Sequence, residues 1–188
     1  SRDIVKDGKI RLNLRIPAWS ENTFVQVDGK KENVSTRYVG DYYTVVLDSV
    51  DKLDIILELD MSVRYTISNG MVEENNAQIA IERGPLVYCV ESVDTDCEYL
   101  EDISIDSNVE YVPEYTEISG RRIMSLTTTA SMLCRERFDR KKLYQPLKKV
   151  TRREIKLRLI PYFAWDNRGY GEMRRVITYG TYDVLHYE

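Results

Sequence analysis

The chain has 188 residues, 43% hydrophobic and 31% charged, with a formal net charge of −4. That length accommodates one large domain or two smaller ones, the balance is globular rather than disordered, and the acidic excess argues against a nucleic-acid partner, which would need a concentrated basic face. No apolar run approaches the ~18 to 20 residues of a membrane span, and residues 1–6 lack a signal-peptide core, so no membrane partner is expected and no compartment is assigned.

The first clear element is the alternation of Ile10, Leu12, Leu14 and Ile16 with Arg11, Asn13 and Arg15, the pattern of a half-buried antiparallel strand that Pro17 ends. Phe24, Val25 and Val27 lead into Asp28-Gly29, a favoured hairpin dipeptide. A polar loop precedes residues 42–47, and Leu53, Ile55, Leu57, Leu59 and Met61 then keep strict period two. Val63, Tyr65 and Ile67 continue it to the turn cluster Ser68-Asn69-Gly70. Closely spaced strands without a helical-period segment predict packed antiparallel sheets.

Residues 77–91 form the central stretch. Ala77, Ile79 and Ile81 alternate, Arg83-Gly84-Pro85 interrupts, and residues 86–90 resume as a dense apolar run, which predicts two strand segments joined by a fixed kink at a bulge, a sheet edge or a corner. Arg83, Gly84, Pro85 and Tyr88 are taken as its structural motif. The polar residues 92–98 are the expected boundary between two units. Ile103 and Ile105, residues 110–117 and residues 122–130 favour extended structure, whereas residues 131–149 read as a long charged loop with one helical turn as an alternative. Ile155, Leu157 and Leu159 restore alternation ahead of Pro161-Tyr162-Phe163-Ala164-Trp165 and the turn Asp166-Asn167-Arg168-Gly169, and residues 173–179 form the expected closing strand.

The basic run over residues 135–153 is read as a solvated or internally paired surface, with an anionic partner as the alternative. Cys89, Cys97 and Cys134 are an odd set at unmatched spacings. Cys89 fits a small core residue, with a Cys89–Cys97 bridge left open. No metal-ligand spacing occurs, and the single histidine, His186, lies near the end, so no cofactor is expected in this chain.

Three separated stretches, Leu14-Arg15-Ile16-Pro17-Ala18-Trp19, then residues 80–91, then residues 160–169, together resemble the C-terminal region of the β-L-arabinofuranosidase-like enzymes of glycoside hydrolase family 127. The resemblance implies a parent of several hundred residues in which an (α/α)6 barrel carries the chemistry and β-sandwich domains follow. It also implies a zinc-held cysteine nucleophile with cysteine and glutamate ligands and a glutamate acid/base, all in the barrel. None of these falls on a matching position here, since no adjacent cysteine pair is present. No catalytic residue or metal is therefore assigned to this chain, and zinc belongs to the barrel it lacks. Chemistry agrees: a retaining glycosidase holds two carboxyl groups about 5 Å apart, and no spacing here pairs any of the 31 acidic residues that way. Glu82 and Glu91 are read as solvent-facing or arginine-paired.

The expectation is thus an all-β chain of two consecutive antiparallel β-sandwich-like units, residues 1–92 and 93–188, serving as the non-catalytic accessory part of a glycoside hydrolase. Its partners would be the catalytic barrel, a second copy of the chain, or carbohydrate. Trp19, Trp165 and Arg168 are the candidate carbohydrate or interdomain contacts. Each tryptophan follows a strand at a proline-marked corner, which suits core capping or stacking on a sugar ring, and Arg168 suits a pin donating to neighbouring loop carbonyls. A free-standing carbohydrate-binding module and a purely structural dimerisation domain are the alternatives.

Overall fold

A computed structural model describes residues 2–4, 9–34, 41–47, 54–134, 139, 141–146 and 151–180. The chain divides into two compact units, Ser1–Ser62 and Val63–Glu188. The described residues are all β apart from turns and short 3-10 segments, as the alternating pattern requires.

Unit 1 contains β1 (Arg2–Ile4), β2 (Ile10–Arg15), β3 (Phe24–Val27), β4 (Lys30–Asn33), β5 (Tyr42–Leu47) and β6 (Ile55–Glu58). They form two three-stranded antiparallel sheets, β1-β2-β5 and β4-β3-β6. Leu14 and Tyr43 from the first sheet meet Val25, Val27, Ile55 and Leu57 from the second around buried Ile16 and Val34, so the period-two apolar faces close on each other as a small sandwich. Asp28 and Gly29 turn the chain between β3 and β4 with φ of 46° and 79°, the positive-φ pair that a two-residue hairpin demands. Beneath the Pro17 corner the fully buried hydroxyls of Ser20 and Thr23 lie 2.6 Å apart, and Ser20 Oγ accepts the Asp60 N–H at 2.8 Å.

Unit 2 contains β7 (Val63–Ile67), β8 (Gln78–Arg83), β9 (Leu86–Glu91), β10 (Ile103–Ile105), β11 (Val112–Ile118), β12 (Arg121–Cys134), β13 (Thr151–Pro161), β14 (Met173–Arg174) and β15 (Val176–Tyr179). Its pairings close on themselves: β8 pairs β9, β9 pairs β13, β13 pairs β12, β12 pairs β10, β10 pairs β15, and β15 returns to β8. Only the short β10–β15 pairing is parallel. Strand β7 extends one side of this circuit, and β11 folds back on β12 as a hairpin. Alternate residues point inward, and Ile79, Ile81, Tyr88, Val90, Leu126, Leu157 and Leu159 join Ile103, Ile105 and Ile177 in one core. The adjacent residues Cys89 and Ile160 face the opposite side, where Ile118, Ile123 and Ala164 form a second, smaller cluster.

Four expectations are corrected here. The boundary lies at residues 62 and 63 instead of near 92, because β8 and β9 draw their partners β15 and β13 from the far end of the sequence, and residues 63–91 are therefore inseparable from the rest of unit 2. Arg83-Gly84-Pro85 is a complete reversal and not a kink: Arg83 opposes Leu86, leaving Gly84-Pro85 as a two-residue loop with Gly84 at φ 57°. A glycine at the first central position is what the II′-type hairpin turn uses, and the φ that proline fixes suits the second. The closing stretch is likewise split, β14 pairing with β9 and β15 with β8 on either side of Arg175. The loop expected from residue 131 begins later, since β12 continues through Cys134, and residues 135–138, 140 and 147–150 lie outside the described residues.

All three cysteines are free, so the Cys89–Cys97 bridge is not formed. Burial, assisted by the Glu91 charge, pushes the Cys89 thiol up to about 12. In the native protein Cys89 will resist iodoacetamide at pH 8 and react once urea unfolds the chain, as read by peptide mass mapping; rapid native labelling would contradict the burial of this thiol. Leu157→Ala will lower unfolding stability in urea by about 2–5 kcal/mol, the range for emptying a fully buried leucine site. A loss under about 0.5 kcal/mol, the scale of a neutral surface change, would mean that the circuit of strands does not enclose a packed core.

Candidate functional site

Strand β13 ends at Pro161, where Ile160 and Pro161 pair with Cys89 and Tyr88. The chain then makes a 3-10 turn over Tyr162–Ala164, and Ala164 drops into the smaller core cluster beside Cys89 and Ile160. That anchor leaves the neighbouring aromatics outside. Trp165 is 38% exposed and Phe163 64%, and Tyr162 and Tyr170 are exposed as well. The Tyr162 and Trp165 rings lie nearly parallel, 10° apart with centroids separated by 6.0 Å, and the Arg175 guanidinium stands 5.2 Å over the Tyr162 ring.

A buried ionic cluster holds this aromatic loop. Glu91, the last residue of β9, is 4% exposed. One of its oxygens accepts the Asp166 backbone N–H at 3.0 Å, and the other accepts Arg168 Nε at 3.1 Å and Arg168 Nη2. The same guanidinium forks onto Asp94, with Nη1 donating to Oδ1 at 2.8 Å and Nη2 to Oδ2. Arg158 adds a longer contact, 3.7 Å, to Asp94 Oδ1. Asp94 first, then Glu91, hold the Arg168 proton more tightly than usual against the opposing effect of desolvation.

The backbone between these anchors is closed by local bonds. Asn167 Nδ2 donates to the carbonyls of Ala164 and Trp165, and Ser119 Oγ, at the tip of the β11–β12 hairpin, donates to the Asn167 carbonyl at 2.7 Å. Asp166 and Gly169 supply the positive φ values, 62° and 115°, so the left-handed positions are Asp166 and Gly169 and do not include Asn167. Ser92 N donates to the Glu172 carbonyl at 2.9 Å and Ser92 Oγ accepts the Glu172 N–H at 3.0 Å. A Cβ on Gly171 would lie 2.5 Å from that hydroxyl, so a larger residue there would have to displace the Ser92 side chain from its bond.

Arg168 is therefore a pin, but its acceptors are two carboxylates and no loop carbonyl. Asp94 is the residue that sequence reasoning missed as a site member, and Glu91, read as solvent-facing or arginine-paired, is arginine-paired, though its partner was not named. The available signal was a glutamate closing an apolar run in one motif and an arginine in another, 77 positions apart. Trp165 belongs to the aromatic loop of unit 2, whereas Trp19 is half-buried in the turn after Pro17 in unit 1. Tyr88 is buried and donates its hydroxyl to the Met124 carbonyl at 3.2 Å; desolvation raises its pKa and the Arg83 charge lowers it again. Arg64 Nη2 binds both Glu82 Oε2 at 3.1 Å and the Gly84 carbonyl at 3.0 Å, so Glu82 is partnered across the β7–β8 pair instead of by adjacent Arg83. Among the described residues no group of three or more His, Cys, Asp or Glu is placed to hold a metal. Glu91, with both oxygens engaged, does not offer itself as a proton acceptor.

Comparison with known proteins places this geometry. Residues 63–177 match the glycoside hydrolase family 127 C-terminal domain, and residues 3–61 match the middle domain of the same family, described as that of a β-L-arabinofuranosidase. A non-reducing end β-L-arabinofuranosidase of Bifidobacterium longum subsp. longum is 34% identical over 171 residues, covering 89% of this chain and 26% of the relative. The crystal structure of a β-L-arabinofuranosidase from Geobacillus stearothermophilus T6 superposes with a TM-score of 0.81 at 25% identity, over 92% of this chain and 27% of that one. A second solved glycoside hydrolase gives a TM-score of 0.79 at 29% identity, over 93% of this chain and 30% of its own. The chain thus spans about a quarter of the length of the relatives it matches.

Arg168→Met, which leaves Glu91 and Asp94 without their main counter-charge, will cost about 3–5 kcal/mol of stability in urea, the penalty for breaking a buried pair from one side. A change below about 1 kcal/mol, the value of an exposed pair, would show that the cluster is solvated.

Proposed function

The chain belongs to glycoside hydrolase family 127, and from that premise we propose that it is the non-catalytic accessory region of a larger glycoside hydrolase whose remaining part hydrolyses L-arabinofuranosides or related glycosides. The carrying observation is the pair of consecutive matches to a middle and a C-terminal domain, on a chain about a quarter the length of its relatives. The side chains support it. The zinc that the family resemblance implies finds no fitting donor set among the described residues, and Cys89 is buried with its thiol held protonated. Glu91 is committed to Arg168 and Asp166.

The part these units play is to dock against and stabilise the catalytic barrel. The aromatic loop favours that role, because its backbone is fixed by buried ionic contacts while Phe163, Trp165 and Tyr170 remain outside. Rigid exposed aromatics lose little conformational entropy on association. A second reading, sugar binding, is favoured by the nearly parallel Tyr162 and Trp165 rings, which present aromatic surface on which a sugar face can stack.

The purified 188-residue chain will show no turnover of an aryl β-L-arabinofuranoside, and release of the aryl group above the buffer rate would overturn the accessory reading. Phe163→Ala with Trp165→Ala, introduced into the whole enzyme, will lower its melting temperature while leaving arabino-oligosaccharide binding by the isolated chain absent. Oligosaccharide binding by the isolated chain that disappears in Trp165→Ala would establish the sugar reading in its place.

A further inference from the structure

We propose that a cavity on the outer side of β10, β12 and β13 in unit 2 binds a sugar-sized hydroxycarboxylate, with Arg152 as the anchor for its carboxylate. The cavity has a volume of about 330 Å³ and is lined by Asp106, Asn108, Thr129, Ser131, Arg152 and Glu154, among others. Its position follows from the strand period. Ala130 and Met132 of β12, and Ile155 and Leu157 of β13, fill the core, so Thr129, Ser131, Arg152 and Glu154 turn to the opposite face.

Arg152 carries more hydrogen-bonding capacity than the fold uses. Its Nη1 donates to the buried Ser104 hydroxyl at 2.9 Å, which fixes the guanidinium, but its Nε is buried without an acceptor. Among the described residues no carboxylate stands within ion-pairing distance of it, whereas the neighbouring Arg153 is already paired to Asp96 at 2.6 Å. A buried guanidinium donor without an acceptor is rare; Nε itself is closed to solvent, so a ligand carboxylate would meet the part of the Arg152 guanidinium that lines the cavity, a charge-assisted contact.

The remaining lining sets the rest of the ligand. Asp106 Oδ1 is held by Ser107, accepting its N–H at 2.6 Å. The side chains of Asn108, Thr129 and Ser131 make no hydrogen bond to other described residues, so an amide and two hydroxyls face the cavity uncommitted. Asp106 and Glu154 disfavour a bare anion, while a neutral sugar leaves Arg152 unmatched. A ligand bearing one carboxylate and several hydroxyls answers both, and a hexuronate is of the size that the cavity admits. This site stands independently of the accessory role, which its failure would leave untouched.

The test is a titration of the isotopically labelled 188-residue chain with D-glucuronate and D-galacturonate, followed by amide NMR shifts, with D-glucose, D-galactose and acetate as comparison ligands. At least one uronate should shift the amides of Thr129, Ser131 and Arg152 and bind about tenfold or more tightly than the neutral sugars and acetate, the scale of one charge-assisted hydrogen bond. Arg152→Met should remove that preference. Thr129→Val, at an exposed strand position suited to valine, should weaken uronate binding with the fold intact, so the test survives if Arg152→Met fails to fold. Equal response to acetate, equal response to neutral sugars, or no shifts with any ligand would each overturn the proposal.

Discussion

A carboxylate taken almost wholly out of water has to be matched by donors, and Glu91 obtains them from a loop 75 and 77 positions further along the chain. Desolvating one ion costs several kcal/mol, so β9 does not end in this environment unless Asp166 and Arg168 arrive there. The backbone pairing of Ile160 with Cys89 and Pro161 with Tyr88 delivers the loop to within reach, and the guanidinium fork then fixes its direction. Two of the three stretches that carry the family resemblance, residues 80–91 and 160–169, are thus one structural object. Their ordered spacing in the sequence reflects a single contact in space.

The same constraint explains why unit 2 starts where it does. A sheet whose pairings return from β15 to β8 leaves no break between residues 63 and 177 at which a stable piece could be detached. Gly84 is the hinge of that closure, since the reversal it permits sets β8 against β9, after which β8 passes to β15 along the same edge and β9 takes β13 on its other side. Tyr88 and Cys89, adjacent on β9, then serve two different cores by pleat alone.

Period-two patterning exposed most of the strands in advance. Residues 10–16, the Asp28-Gly29 turn and residues 155–159 were readable because each is a local signal set by side-chain alternation or by positive φ. What escaped is non-local. The unit boundary depends on which strands pair across ~100 residues, and a polar stretch at 92–98 looks like a linker although Ser92–Asp94 is a 3-10 turn inside the cluster that holds Arg168. Gly84-Pro85 was legible as special but not as a hairpin, because the same dipeptide serves bulges and corners. For the site, the arginine was visible and Glu91 was legible as solvent-facing or arginine-paired, but not as the partner of Arg168, and Asp94 does not differ in sequence from a solvated acid.

An apolar contact in place of the Arg168 cluster would stabilise the loop about as well, because buried ion pairs roughly break even against hydrophobic substitutes. The difference lies in direction. Apolar contacts tolerate sliding, whereas the guanidinium fork on Asp94, the two bonds of Arg168 to one Glu91 oxygen, a backbone N–H on the other and the positive φ of Gly169 give residues 162–170 a defined direction. Precision of that kind is wasted on a surface that meets only water. It has value where exposed rings must meet a second surface in register, which is the setting we propose for a region forming about a quarter of its relatives' length.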